Sequence, residues 1–146
     1  MGLFYERAGG TRMMGRVLGW LLIAQPPRQS AEDLMAALQV SRGAISTTLR
    51  QCLDRGMVDR VSLPGQRRDF YQIRPGSGTQ MLHRSIPIMT AARVLTERGL
   101  ALLADQPPQA RERLEEMHSL YTFFEERLPA LIDEWEAQWR DRQRRR

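Results

Sequence analysis

Apolar positions follow helical spacing over most of this chain and alternate in one short region. Leu3 to Arg7 predicts a short helix that breaks at Gly9-Gly10, and Thr11 offers a cap for the next one. Met14, Val17, Leu18, Leu21 and Leu22 share one side of that second helix, which is therefore expected to be buried. Pro26-Pro27 ends it.

Between Ser30 and Ile73 the pattern changes. Ser30 with Asp33 three residues on resembles a capping box with Asp in place of Glu or Gln, and Leu34, Ala37 and Leu38 form the apolar face behind it. Gln39-Val40-Ser41 predicts a tight turn, and Ser41 caps a helix from Arg42 to Arg55 that Gly56 stops. On that helix Ile45, Leu49, Cys52 and Leu53 gather on one side. Gly43, Thr47, Arg50 and Gln51 lie roughly opposite, with Ser46 on the flank. Val58, Val61 and Leu63 predict a strand, Pro64-Gly65 opens a loop, and Phe70, Tyr71 and Ile73 predict the partner strand. Two helices, a turn and a two-stranded ribbon tipped with arginine make a winged helix-turn-helix. That shape places one helix in the DNA major groove and a loop against the backbone.

Pro75-Gly76-Ser77-Gly78 reads as a linker, followed by a long helix from Thr79 to Leu103. Along it Met81, Ser85, Ile88, Ala92, Leu95, Gly99 and Leu102 alternate by four and three, the signature of a helix seam. Pro87 is expected to kink it, and Asp105 to Pro108 breaks it. The last helical stretch carries Leu114, Met117, Tyr121, Phe124, Leu128, Leu131, Ile132, Trp135 and Trp139, with an acidic opposite face; Pro129 kinks it or starts a separate helix. Apolar faces that a small domain cannot cover call for a partner, and a two-fold homodimer is the usual solution for DNA readers. The expected fold is mainly α with a small β-hairpin wing: a winged helix-turn-helix flanked by N- and C-terminal dimerisation helices. The expected divisions are 1–26 (N-terminal helices), 27–75 (DNA-binding domain) and 76–146 (C-terminal dimerisation helices with a basic tail).

Charge sharpens this picture. Residues 1–74 hold 11 Arg against 6 acids, residues 75–139 hold 6 against 10, and residues 140–146 hold 5 against 1. Positive charge thus sits on the reader and the tail, the parts expected to meet phosphate. Every basic side chain apart from the two histidines is arginine, whose guanidinium forks onto phosphate oxygens; genome-wide codon bias is the plainer reading of the missing lysine. One cysteine excludes an intramolecular disulfide and a thiolate metal cluster, and a reducing cytoplasm fits. No apolar run reaches the ~18 residues of a membrane helix, and no signal-peptide arrangement is visible.

The candidate DNA-binding residues are Ser41, Arg42, Gly43, Ser46, Thr47, Arg50, Arg60, Gln66, Arg67 and Arg68. Ser41, Arg42 and the N–H groups around Gly43 sit at a helix N-terminus, which favours phosphate, and Gly43 leaves room for a backbone to approach. Ser46, Thr47 and Arg50 can reach base edges, and Arg50 can take guanine in bidentate fashion. Gln66, Arg67 and Arg68 at the hairpin tip can follow phosphates or enter a narrow minor groove, and Arg60 is a phosphate contact from the ribbon. Arg140 to Arg146 adds nonspecific affinity by counterion release, or is simply a solvated terminus. Cys52, on the apolar face, reads as buried and inert rather than as a redox switch. His83 and His118 stand apart without a carboxylate–cysteine set, so no metal or cofactor is expected. No nucleophile motif or phosphate-binding glycine loop argues for an enzyme.

From Gly15 to Gly76 the chain resembles the MarR superfamily of bacterial regulators, and within it the GbsR-like group. Gly15-Arg-Val-Leu-Gly-Trp-Leu-Leu22, Val40-Ser-Arg-Gly-Ala-Ile-Ser46 and Val58-Asp-Arg-Val-Ser-Leu-Pro-Gly-Gln-Arg-Arg-Asp-Phe-Tyr71 carry the resemblance. It implies a homodimer with interlocked terminal helices, a reader helix over Ser41 to Arg55, a wing over Leu63 to Phe70 and, in many members, an effector pocket between the two regions. Gln39 stands where the turn often has Gly, which implies a slightly different turn. Gln66 stands where the wing often has Asp, so no acid there orients Arg67 or Arg68.

The expected function is a sequence-specific duplex-DNA-binding regulator: a cytoplasmic homodimeric repressor on a pseudo-palindromic operator, with a small-molecule effector of unknown identity as a further candidate partner. The rival readings are a sequence-indifferent architectural DNA binder and a protein-interaction module whose acidic C-terminal helix docks a basic partner.

Overall fold

The computed structural model of the chain describes residues 1–7 and 9–145. They form two compact units, Met1–Ser77 and Gly78–Arg146. The first contains α1 (Gly2–Arg7), α2 (Arg12–Ile23), β1 (Gln29–Ser30), α3 (Ala31–Leu38), α4 (Arg42–Asp54), β2 (Val58–Ser62) and β3 (Asp69–Ile73). At its boundary begins α5 (Ser77–Leu102), which with α6 (Pro108–Arg144) makes the second.

In the first unit each helix starts where its cap stands. The Thr11 hydroxyl accepts the Met14 N–H at 3.1 Å. The Ser30 hydroxyl accepts the Asp33 N–H at 3.2 Å, while the Asp33 carboxylate accepts both the Ser30 N–H and its hydroxyl at 2.8 Å, completing the capping box. Met14, Val17, Leu18 and Leu21 of α2 join Leu34 and Leu38 of α3, Ile45, Leu49 and Cys52 of α4 and Val58 of β2 in one core. Two expected core positions lie outside it. Leu22 is 58% exposed and Ala37 is exposed; each falls at the edge of its helical stripe. Gly15 marks the crossing of α1 over α2, since a Cβ there would lie 2.7 Å from the Met1 carbonyl oxygen.

The turn between α3 and α4 corrects the expectation drawn from Gln39. Its backbone is left-handed, φ 51° and ψ 56°. The turn is therefore not replaced by another; a glutamine adopts the geometry that glycine takes without steric cost.

The sheet also exceeds the expected two-stranded ribbon. It has three antiparallel strands in the order β1-β3-β2, with Ser30 opposite Phe70 and Gln29 opposite Tyr71. A two-residue strand carries no alternation to read, and the extended Ser30 that caps α3 is already in strand conformation. β2 and β3 pair from Val58↔Ile73 to Ser62↔Asp69, so the wing loop begins at Leu63.

In the second unit α5 and α6 run antiparallel. Gly99 approaches Leu114, where a Cβ would meet the leucine at 2.7 Å. Thr96 Oγ1 lies 3.1 Å from His118 Nδ1, and Arg93 Nε donates to Glu125 Oε2. The expected linker is shorter than it reads, because α5 begins at Ser77. Both α5 and α6 continue through their prolines, so Pro129 does not start a separate helix. On the expected α5 seam Gly99 meets α6, but Ile88, Leu95 and Leu102 are 70, 71 and 86% exposed, so α6 leaves those positions uncovered.

Candidate nucleic-acid interface

The reader helix α4 is set by its two ends and its buried face. The Ser41 hydroxyl accepts the Ala44 N–H at 3.3 Å. Ile45, Leu49 and Cys52 anchor one face in the core, joined by Thr48, whose hydroxyl satisfies itself on the Ala44 carbonyl at 2.8 Å. Burial of those four turns Ser41, Arg42, Gly43, Ser46, Thr47 and Arg50 to solvent together. Among the described residues nothing lies within 4 Å of where a Gly43 Cβ would stand, so the space there is open.

The wing holds Gln66, Arg67 and Arg68, all exposed. Gly65, at φ +74°, reverses the chain, and the Gln66 N–H donates to the Leu63 carbonyl at 3.1 Å. No acid is needed to place Arg68: its guanidinium lies over the Phe70 ring, 5.1 Å from the centroid. Arg60, on β2, faces Asp69 across the strand pair at 3.5 Å.

Between the reader helix and the sheet lies a hollow of about 350 Å³. Arg42, Ser46, Leu49, Arg50, Arg60 and Tyr71 are among the residues lining it, together with Glu32 from the first turn of α3. The structure therefore gathers four of the candidate residues around one feature. Glu32 and Tyr71 were missed: Glu32 reads as a helix-start acid and Tyr71 as a strand aromatic, and neither signal points to the hollow. Burial pushes the Tyr71 hydroxyl above its ordinary pKa; Asp69 and Glu32 add to this and Arg60 opposes it.

Other candidates fall elsewhere. Cys52 is fully buried, and desolvation pushes its thiol up to about 11, the charge of Arg55 opposing. Among the described residues no group of three or more His, Cys, Asp or Glu is placed to hold a metal, and no helix is long and apolar enough to cross a membrane. The tail arginines from Arg140 to Arg145 are exposed at the end of α6, and Arg146 lies outside the described residues.

Comparison with known proteins agrees with this architecture. Residues 9–69 match the MarR family, and residues 76–138 match the MmpR5-like MarR family transcriptional regulators. The HTH-type transcriptional regulator MmpR5 of Mycobacterium tuberculosis (strain ATCC 25618 / H37Rv) is 39% identical over 125 residues, covering 86% of this chain and 76% of that protein. A crystal structure of a transcriptional regulator is 36% identical, with a TM-score of 0.70 over 94% of this chain and 93% of that one. The chain belongs to the MarR family of winged-helix transcriptional regulators, which are not enzymes. The matches name an MmpR5-like group and not a GbsR-like one, so the resemblance holds at the level of the family.

Proposed function

We propose that this chain is a cytoplasmic homodimeric repressor that reads a pseudo-palindromic operator, with α4 in the major groove and the wing beside it. The observation that carries the reading is the shared exposure of Ser46, Thr47 and Arg50 on one face of a capped helix whose other face is locked in the core. Ser41, Arg42 and Gly43 then meet phosphate at the helix start, Arg50 reads a base edge, and Arg60, Gln66, Arg67 and Arg68 contact the backbone or minor groove. Segments 1–26 and 76–146 supply the dimer contacts around the 27–75 reader. Exposed apolar side chains on α5 and α6, such as Leu95, Leu102, Leu131 and Trp135, support this division. A small-molecule effector would act by shifting the population of dimers whose reader helices fit the DNA.

Selection of genomic fragments by the purified protein, followed by salt titration on the winning duplex, tests the reading. The expected result is an inverted repeat with half-sites ~10 bp apart or multiples of that and a steep salt dependence. Binding without an enriched site would replace it with the architectural reading. No salt-dependent binding at all would replace it with the protein-interaction reading.

A further inference from the structure

Three arginines line the reading hollow, and two of them already face carboxylates. Arg42 Nη2 lies 3.5 Å from Glu32 Oε1, and Arg60 Nη1 lies 3.5 Å from Asp69 Oδ2. Arg50 shares the hollow and, among the described residues, pairs with no carboxylate. The fold places each acid beside its arginine for reasons of its own. Glu32 occupies the first turn of α3, where a negative charge suits the helix end. Asp69 opens β3 opposite Ser62, whose hydroxyl donates to it at 3.4 Å.

We propose that Glu32 and Asp69 are selectivity-determining residues, internal counter-ions that keep Arg42 and Arg60 from joining loose, nonspecific contacts with duplex DNA. The inference rests on the DNA-binding function above. Nonspecific binding is essentially all phosphate neutralisation, so its strength follows the number of arginines free to take a phosphate. An arginine already matched to a carboxylate gains little from a passing phosphate and leaves a repelling acid behind. In a loosely bound complex Arg42 and Arg60 therefore stay with their acids. Seating of α4 on the operator, held by Arg50 at a base edge, brings phosphates to fixed positions and exchanges the two pairs. Both pairs are solvent-exposed and each is worth at most about 1 kcal/mol. A phosphate held close and fixed on the operator therefore displaces them, while a passing one in a loose complex offers too little to do so. The unpaired arginine thus probes sequence, and the paired ones commit only after it succeeds.

The test compares wild type, Glu32→Gln, Asp69→Asn and the double variant on the recovered operator and on a scrambled duplex of equal length, each across a salt series. On scrambled duplex the salt slope is expected to steepen by about 0.9 for each released arginine. On the operator the slope stays unchanged and affinity rises by no more than about two- to fivefold. The ratio of operator to scrambled affinity falls accordingly. Adding Arg42→Ala to Glu32→Gln should erase the gain on scrambled duplex. Thermal melting of each variant identifies loss of fold. An unchanged slope on scrambled duplex for folded variants, with wild type still selecting its operator, would overturn this inference alone. Wild-type protein that binds no duplex at all would overturn the DNA-binding function, and this inference with it.

Discussion

The Arg68 guanidinium rests over the Phe70 ring, 5.1 Å from its centroid, and this contact distinguishes two wing arginines that are adjacent in sequence. Phe70 is buried, 6% exposed, and paired on both sides within the sheet, so Arg68 is tied to a rigid platform. Arg67 is exposed and has no ring or carboxylate partner among the described residues. Arg67→Ala is expected to weaken binding to operator and scrambled duplex alike and to reduce the salt slope by about 0.9. Arg68→Ala should cost less on both. Salt titrations of the two variants side by side check this, and equal losses would remove the distinction.

Arg50→Ala should instead relax sequence preference at one operator position. A lost bidentate contact to guanine is worth about 1–3 kcal/mol of discrimination. Affinity for scrambled duplex should change far less. Binding to a panel of single-base operator variants reads this out; a uniform loss across the panel would make Arg50 a phosphate contact.

Gln39→Gly should stabilise the reader unit. The left-handed φ of 51° at Gln39 costs a side-chain-bearing residue roughly 1–2 kcal/mol. Glycine gives back part of that through its freer unfolded chain. A net gain of about 0.5–1 kcal/mol is expected from these two terms, visible as a higher urea midpoint with an unchanged slope. A lower midpoint would mean that the glutamine side chain contributes more than its backbone costs.

Acid stability should depend on Asp33. The Ser30 N–H, then the Ser30 hydroxyl, hold its carboxyl below the usual range; the charge of Arg68 adds to this and burial opposes it. A carboxyl with a depressed folded pKa stabilises the native state above its unfolded value. That contribution fades as pH falls toward the folded one. Wild type should therefore lose stability below about pH 4 more steeply than Asp33→Asn. Parallel curves over that range would place the acid sensitivity elsewhere. Ser30→Ala removes the other half of the box and should cost about 1 kcal/mol at neutral pH.

Cys52 should be unreactive in the native state. Its thiol is fully buried and titrates at about 11. In the unfolded chain a cysteine loses its proton near 8.5. The folded form is then progressively disfavoured as pH rises from that value toward the folded pKa. Alkylation at pH 8 should be slow in buffer and fast in denaturant. Rapid native labelling would show that the α4 face opens readily.

Much of this arrangement is legible in the chain itself. Thr11, Ser30 and Ser41 cap the helices they precede because a short hydroxyl beside an apolar run has few better uses. The alternation from Val58 to Leu63 and from Phe70 to Ile73 requires a ribbon, and arginines at its tip require solvent or phosphate. The errors come from positions where local signals are weak. Leu22 and Ala37 have the right spacing, but their coverage depends on how neighbouring elements pack. β1 is too short to show a period, and α5 and α6 run through prolines whose lost hydrogen bonds are few beside the many that remain.

The sequence by itself determined the order of the helices and of the β2–β3 ribbon, the exposed face of α4 and the segregation of positive charge, because capping, periodicity and charge act over a few neighbouring residues. Only the tertiary structure decided that Glu32 meets Arg42, that Asp69 meets Arg60 and that Arg50, in the same hollow, has no acid partner among the described residues. Those relations join α3 to α4 and one strand to another, across separations that no local pattern encodes. They depend on packing Leu34, Leu49 and Val58 into one core, which sets where each surface side chain emerges.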